Sequence, residues 1–217
     1  MVKQRALSPT TWLLLISAVV VIIAVVTLQI NTGKADALPK AKLAELGLYI
    51  FDKPRALSPV PLKNLNDQVV TLADFSGQWS IVNFGYMSCP DICPINLSFL
   101  AQVKDHWDSR SLDMPLQVLH ITFDPERDTP ALLKDYLAYM HKDFIGLSGE
   151  QANIRRVAQQ LNMVFIKEKT NDDGDYFISH SDSFAIISPQ GHYIGIVKGP
   201  YQFDALTQAL ALLVEHY

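Results

Sequence analysis

The chain has 217 residues, 49% of them hydrophobic, which suits one domain with a sizeable core plus a terminal appendage. Its 22 acidic and 18 basic residues give a net charge of -4 with no long run of either sign. That balance excludes a surface built to neutralise phosphates, and with it nucleic acid as a partner.

Residues 1–10 form a short N-terminal tail, and residues 11–30, TWLLLISAVVVIIAVVTLQI, contain no charge. At about 1.5 Å per residue such a helix crosses a hydrocarbon core of roughly 30 Å, so the stretch is expected to be a transmembrane anchor. Ala35-Asp36-Ala37 resembles a signal-peptidase site, but the apolar run is longer than the roughly 7 to 15 residues of a cleaved signal peptide. Lys3 and Arg5 on one side are balanced by Lys34, Lys40 and Lys42 on the other, so flanking charge does not decide orientation. A short tail before a single anchor and a long domain after it favour the N-terminus inside and the domain outside. Residues 31–54, with Pro39 and Gly47 among small, basic and apolar residues, read as a tether, and the folded domain is expected over 55–217.

Within that domain, apolar runs predict strands over 80–84, 116–123, 164–166, 183–187 and 192–197. Ser188-Pro189-Gln190-Gly191 turns the last two into a hairpin, and Asp173-Gly174 favours a tight turn after the third. A helix is expected over 94–107. A second begins at Asp128-Thr129-Pro130, a capping residue with proline at the first helical position, and carries Leu133, Tyr136, Leu137 and Met140 on one stripe. Two further stripes are Ile154, Val157, Ala158, Leu161 and Leu206, Ala209, Leu210, Leu213. Strands alternating with helices, then a hairpin and a last helix, predict an α/β fold with a central mixed sheet flanked by helices.

The two cysteines of the chain, Cys89 and Cys93, stand between the strand ending near Phe84 and the following helix. Pro90 and Pro94 disfavour helical geometry at the residues before them, so the pair is expected in a constrained turn with Pro94 opening the helix. A helix N-terminus favours negative charge and is expected to lower the thiol pKa values. Two chemistries follow from such a dithiol. Thioredoxin-type exchange commonly has two intervening residues, whereas the three here give a wider bite suited to a soft ion such as copper(I). Zinc would need four ligands, of which the cysteines supply two. Spacing alone leaves exchange and metal capture both open.

The segment Phe84-Gly85-Tyr86-Met87-Ser88-Cys89-Pro90-Asp91-Ile92-Cys93-Pro94 resembles the signature of the Sco/SenC family. Ile121-Thr122-Phe123-Asp124-Pro125-Glu126-Arg127-Asp128-Thr129-Pro130 resembles that family's second motif, and Asp175-Tyr176-Phe177-Ile178-Ser179-His180-Ser181 its histidine-bearing segment. The similarity runs from about residue 61 to the C-terminus. It implies a thioredoxin-like fold on a single-pass anchor in the inner (cytoplasmic) membrane, with the soluble domain facing the periplasm or cell exterior. It also implies a metallochaperone that binds copper, as Cu(I) and Cu(II), through Cys89, Cys93 and His180. The implied partner is the CuA-bearing subunit of cytochrome c oxidase or another copper-accepting exported protein. The implied alternative is a thiol-disulfide reductase in which Cys89 and Cys93 are the catalytic pair, keeping an apo-oxidase subunit or other exported protein reduced. Met87 and Ser88 stand where the family often has threonine and a histidine or aromatic residue, and Ser179 where aspartate is common.

Without that resemblance His180 would read as an ordinary histidine, as His106, His120, His141, His192 and His216 do. Asp124 to Asp128 precede a helix start, where capping and the helix dipole account for acidic residues; the resemblance, which puts Asp124 in the family's acidic motif, implies a place near the site rather than as a ligand. A peroxiredoxin-type thiol peroxidase would need proline and threonine where Val82 and Tyr86 stand.

Overall fold

The computed structural model describes residues 10, 12, 15–23, 38–110, 114–169 and 176–217. They divide into two compact units, Met1–Pro39 with His216–Tyr217, and Lys40–Glu215. In the first, residues 15–23 are helical with exposed apolar side chains. Much of the expected anchor lies outside the described residues, and among those described no helix is long and apolar enough to cross a membrane.

The second unit carries ten strands, five α-helices and a short 3-10 helix (Leu72–Phe75) among its described residues. In chain order they are α1 (Lys40–Glu45), β1 (Leu48–Ala56), β2 (Leu62–Asn64), β3 (Val69–Val70), β4 (Trp79–Gly85), α2 (Ile92–Ser109) and β5 (Leu116–Thr122). There follow α3 (Pro130–Met140), β6 (Ile145–Ser148), α4 (Gln151–Gln160), β7 (Phe165–Lys167), β8 (Ile178–His180), β9 (Ser183–Ile187), β10 (His192–Lys198) and α5 (Phe203–His216). Eight strands form one mixed sheet in the order β1-β10-β9-β4-β5-β6-β2-β3, while β7 and β8 pair in a ladder of their own. β4, β5 and β6 are parallel, and β9 joins β4 antiparallel. This is the expected thioredoxin-like arrangement.

The central strands β4 and β5 are buried at every residue, as strands covered on both faces must be. On one face Val82, Phe84, Leu119 and Ile121 pack with Ile154, Val157, Ala158 and Leu161 of α4 and its C-terminal cap. Alternation puts Asn83, Gly85, His120 and Thr122 on the other face, toward α2. Polar residues also pair across the parallel register, Ser80 with Gln117 on the face toward α4 and Asn83 with His120 on the face toward α2. Ser80 lies opposite Gln117, whose Nε2 donates to its Oγ at 2.8 Å, and Asn83 lies opposite His120, with Asn83 Nδ2 3.0 Å from His120 Nδ1.

Two expectations need correcting. The segment taken as a tether up to residue 54 contains α1 and most of β1, and Leu43 and Leu48 are fully buried. β1 pairs antiparallel with β10 at the edge of the sheet, where Pro54 removes no ladder bond that another strand needs. Its register shifts between Ile50 and Arg55, which erases the alternation that would mark a strand in the sequence. The helix expected from Pro94 begins at Ile92, so Cys93 sits inside its first turn rather than ahead of it.

Candidate metal centre

β4 runs out at Gly85, and the chain turns through Tyr86, Met87 and Ser88 so that the Cys89 N–H donates to Tyr86 O at 3.2 Å. This turn is held from outside. Asp128, only 1% exposed, accepts from the Met87 N–H at 3.1 Å and from Thr122 Oγ1 at 2.5 Å. The last acidic residue of the 124–128 motif therefore ties the cysteine loop to β5, and Thr129 alone caps α3, accepting from Leu132 N. Burial raises the Asp128 pKa, against the two hydrogen bonds that lower it.

Gly85 permits the closest approach in the site. A β-carbon there would lie 3.0 Å from Cys93 Sγ and 3.1 Å from His120 Cε1. With no side chain in the way, Cys93 turns inward and is 1% exposed, while Cys89 keeps 9% of its surface at the mouth. Burial, reinforced by a hydrogen bond with the Cys89 thiol, pushes the Cys93 pKa up. For Cys93 that runs against the expectation from the helix N-terminus, because its sulfur is packed under the sheet end and desolvated.

His180 arrives from the far end of the fold on β8. Its strand partner is Phe165, and its ring packs on Phe123 with centroids 5.1 Å apart and meets the edge of Tyr86 at 6.4 Å. Phe123 itself stacks on Phe84 and Phe165 at 5.1 and 4.3 Å, so an aromatic floor supports the imidazole. The Tyr86 hydroxyl accepts from the Ile178 N–H at 3.2 Å, linking β8 back to the cysteine turn. His180 Nδ1 lies 2.9 Å from Ser181 O, which makes Nδ1 the donor and leaves the Nε2 lone pair directed at Cys93 Sγ, 3.6 Å away.

The three predicted donors thus converge: among the described residues Cys89, Cys93 and His180 form one group whose donor atoms all lie within 4.8 Å of one another. Two sulfurs and one imidazole suit a soft or borderline ion and offer nothing to a hard, oxygen-seeking one. Asp124 is outside this group. It is 3% exposed and engaged by Arg127, by Tyr176 Oη at 2.7 Å and, through its own N–H, by Thr122 Oγ1 at 2.9 Å.

Two other histidines have partners away from the donors. His106 meets Phe203 edge-on and His141 pairs with Asp105 at 3.1 Å. His120 is fully buried, and burial, with the nearby His180 a lesser cause, lowers its pKa to about 4. Sequence reasoning missed the Tyr86 hydroxyl and Asp128 as anchors of the site, because nothing in spacing or periodicity distinguishes an anchoring hydroxyl or carboxylate from a surface one.

A family model described as SCO1/SenC matches residues 52–215. A protein of Stutzerimonas stutzeri named for copper binding is 34% identical over 176 residues, 81% of this chain and 85% of that protein. Copper-bound yeast Sco1 superposes with a TM-score of 0.69 at 30% identity, over 76% of this chain and 91% of that one. Copper-bound ScoI of Arabidopsis thaliana gives a TM-score of 0.69 at 30% identity, over 74% and 98% respectively.

Proposed function

The chain belongs to the SCO1/SenC family, and from that premise we propose that it is a copper metallochaperone for cytochrome c oxidase assembly. Cys89, Cys93 and His180 hold the ion, and the recipient is the CuA-bearing subunit or another copper-accepting exported protein. The observation that carries this reading is the convergence of two thiol sulfurs and an imidazole within 4.8 Å. The similar yeast and Arabidopsis proteins hold copper, which supports the choice of ion.

The protein's contribution is a donor set ready before the ion arrives. The Ser181 carbonyl keeps the imidazole in the tautomer whose Nε2 is free, and Gly85 gives Cys93 room at the base of the site. Cys89, at the mouth, is the sulfur that an incoming ion or recipient meets first. A bound cation favours the thiolate forms, so metal capture releases protons and tightens as pH rises. Both Cu(I) and Cu(II) fit this reading, the sulfurs favouring the first and the imidazole helping to accommodate the second. Residues 11–30 are proposed to anchor the domain to the inner membrane as a single span, with the domain on the periplasmic or outer side; the uncharged apolar sequence supports this.

Copper titration of the reduced chain tests the site: Cys89→Ser, Cys93→Ser and His180→Ala should each weaken binding, and undiminished affinity in all three would overturn the reading. The proximity of two free thiols also supports a thiol-disulfide reductase. There the Cys89 thiolate would attack a client disulfide, and Cys93 would then resolve the mixed disulfide, leaving Cys89–Cys93 oxidised and the client a dithiol. Exchange kept in His180→Ala but lost in either cysteine variant would favour that role.

A further inference from the structure

His180 and Cys93 reach each other from separate parts of the structure. Cys93 is fixed in the first turn of α2, whereas His180 ends a ladder that pairs β8 with β7 and not with the main sheet. A contact of 3.6 Å between them needs something that sets the separation of helix and ladder. Three residues beyond Cys93, Asn96 is 2% exposed and its Nδ2 donates to Asp182 Oδ1 at 2.8 Å. Asp182 stands two residues beyond His180, where the chain passes from the ladder into β9. The same oxygen accepts from Tyr201 Oη at 3.0 Å. Tyr201 is itself clamped, stacked on Phe184 of β9 at 4.3 Å and on Phe99 of α2 at 5.6 Å.

The carboxylate is therefore held by one donor on the cysteine helix and by another wedged between that helix and β9. We propose that Asp182 is a positioning residue that sets the distance between His180 and Cys93 by bridging Asn96 and Tyr201. The proposal rests on the copper reading above and names a residue outside its donor set. What Asp182 supplies is an acceptor oxygen in a fixed place. An amide oxygen can do the same, so Asp182→Asn should preserve the bridge and Asp182→Ala should break it.

The test uses the full-length reduced chain. Asp182→Ala and Asn96→Ala should bind copper(I) roughly 10- to 100-fold more weakly, the range typical of groups that orient a ligand, and should shift the sulfur-to-copper absorption of the copper(II) form. Asp182→Asn should bind close to wild type with an unshifted spectrum. In the metal-free protein, the His180 ring resonances in NMR should move in the two alanine variants and stay in place in Asp182→Asn. Native affinity, spectrum and ring resonances in Asp182→Ala would overturn the proposal, as would an Asp182→Asn variant as impaired as Asp182→Ala, since charge rather than position would then matter. If the wild-type chain binds no copper through its cysteines, the copper reading fails by itself, and the metal-free resonances still decide the role of Asp182.

Discussion

Lowering the pH from 7 to 5 should weaken the fold through His120, a residue outside the donor set. The imidazole is fully buried, Asn83 Nδ2 donates to its Nδ1, and its Nε2 has no hydrogen-bond partner among the described residues. Burial disfavours the charged ring, with the nearby His180 a lesser cause, and holds the folded-state pKa near 4 against an ordinary 6.5; protonation would also set two donors against each other at Nδ1. A lowered histidine pKa means that the unfolded chain binds the extra proton more readily. Its stabilising contribution is thus present above pH 6.5 and lost as pH falls toward 4. At about 1.4 kcal/mol per pH unit, the full loss is on the order of 3 kcal/mol, and about 2 kcal/mol of it falls between pH 7 and 5. Asp128, whose pKa is raised, works in the opposite direction as it protonates. The quantity to compare is therefore the difference between wild type and a non-titrating His120→Gln variant. Urea unfolding at pH 7, 6 and 5 should show the wild type losing about 2 kcal/mol more than the variant over that range. Equal losses in the two proteins would refute the assignment of a neutral, buried His120.

Gly85→Ala should crowd both the Cys93 sulfur and the His120 ring, since the new methyl would stand 3.0 and 3.1 Å from them. Thermal unfolding should report a loss of roughly 1 to 3 kcal/mol from overpacking, accompanied by weaker copper binding. Tyr86→Phe removes the acceptor for the Ile178 N–H and should cost about 1 kcal/mol; faster amide exchange at Ile178 and Ser179 would register the loosened ladder, and unchanged exchange would show that Tyr86 does not hold it.

The dithiol was legible because two cysteines in one five-residue segment are conspicuous in any chain, and the terminal hairpin because Ser188 to Gly191 is a strong turn. β1 was not, for Pro54 and a register shift hide a strand that only an edge position tolerates. β6, four residues long, is too short to display a period. His180 emerged from a resemblance, since one histidine among six says nothing locally; its partnership with Cys93 spans 87 residues and is a property of the assembled sheet. The direction of the Cys93 pKa was misjudged for a related reason. The helix end is visible in sequence, but the space above Gly85 that buries the sulfur is not.

That long span has a further consequence. In the unfolded chain Cys89 and Cys93 remain neighbours whatever the rest does, but the imidazole 87 residues past Cys93 joins them only when the loop between has closed. An ion gripped by both sulfurs and the ring is a non-covalent cross-link between distant stretches of polypeptide, and it favours the folded over the unfolded chain by the difference in affinity between them. On the proposed reading, the third grip would be completed only once the fold has brought His180 to the cysteines.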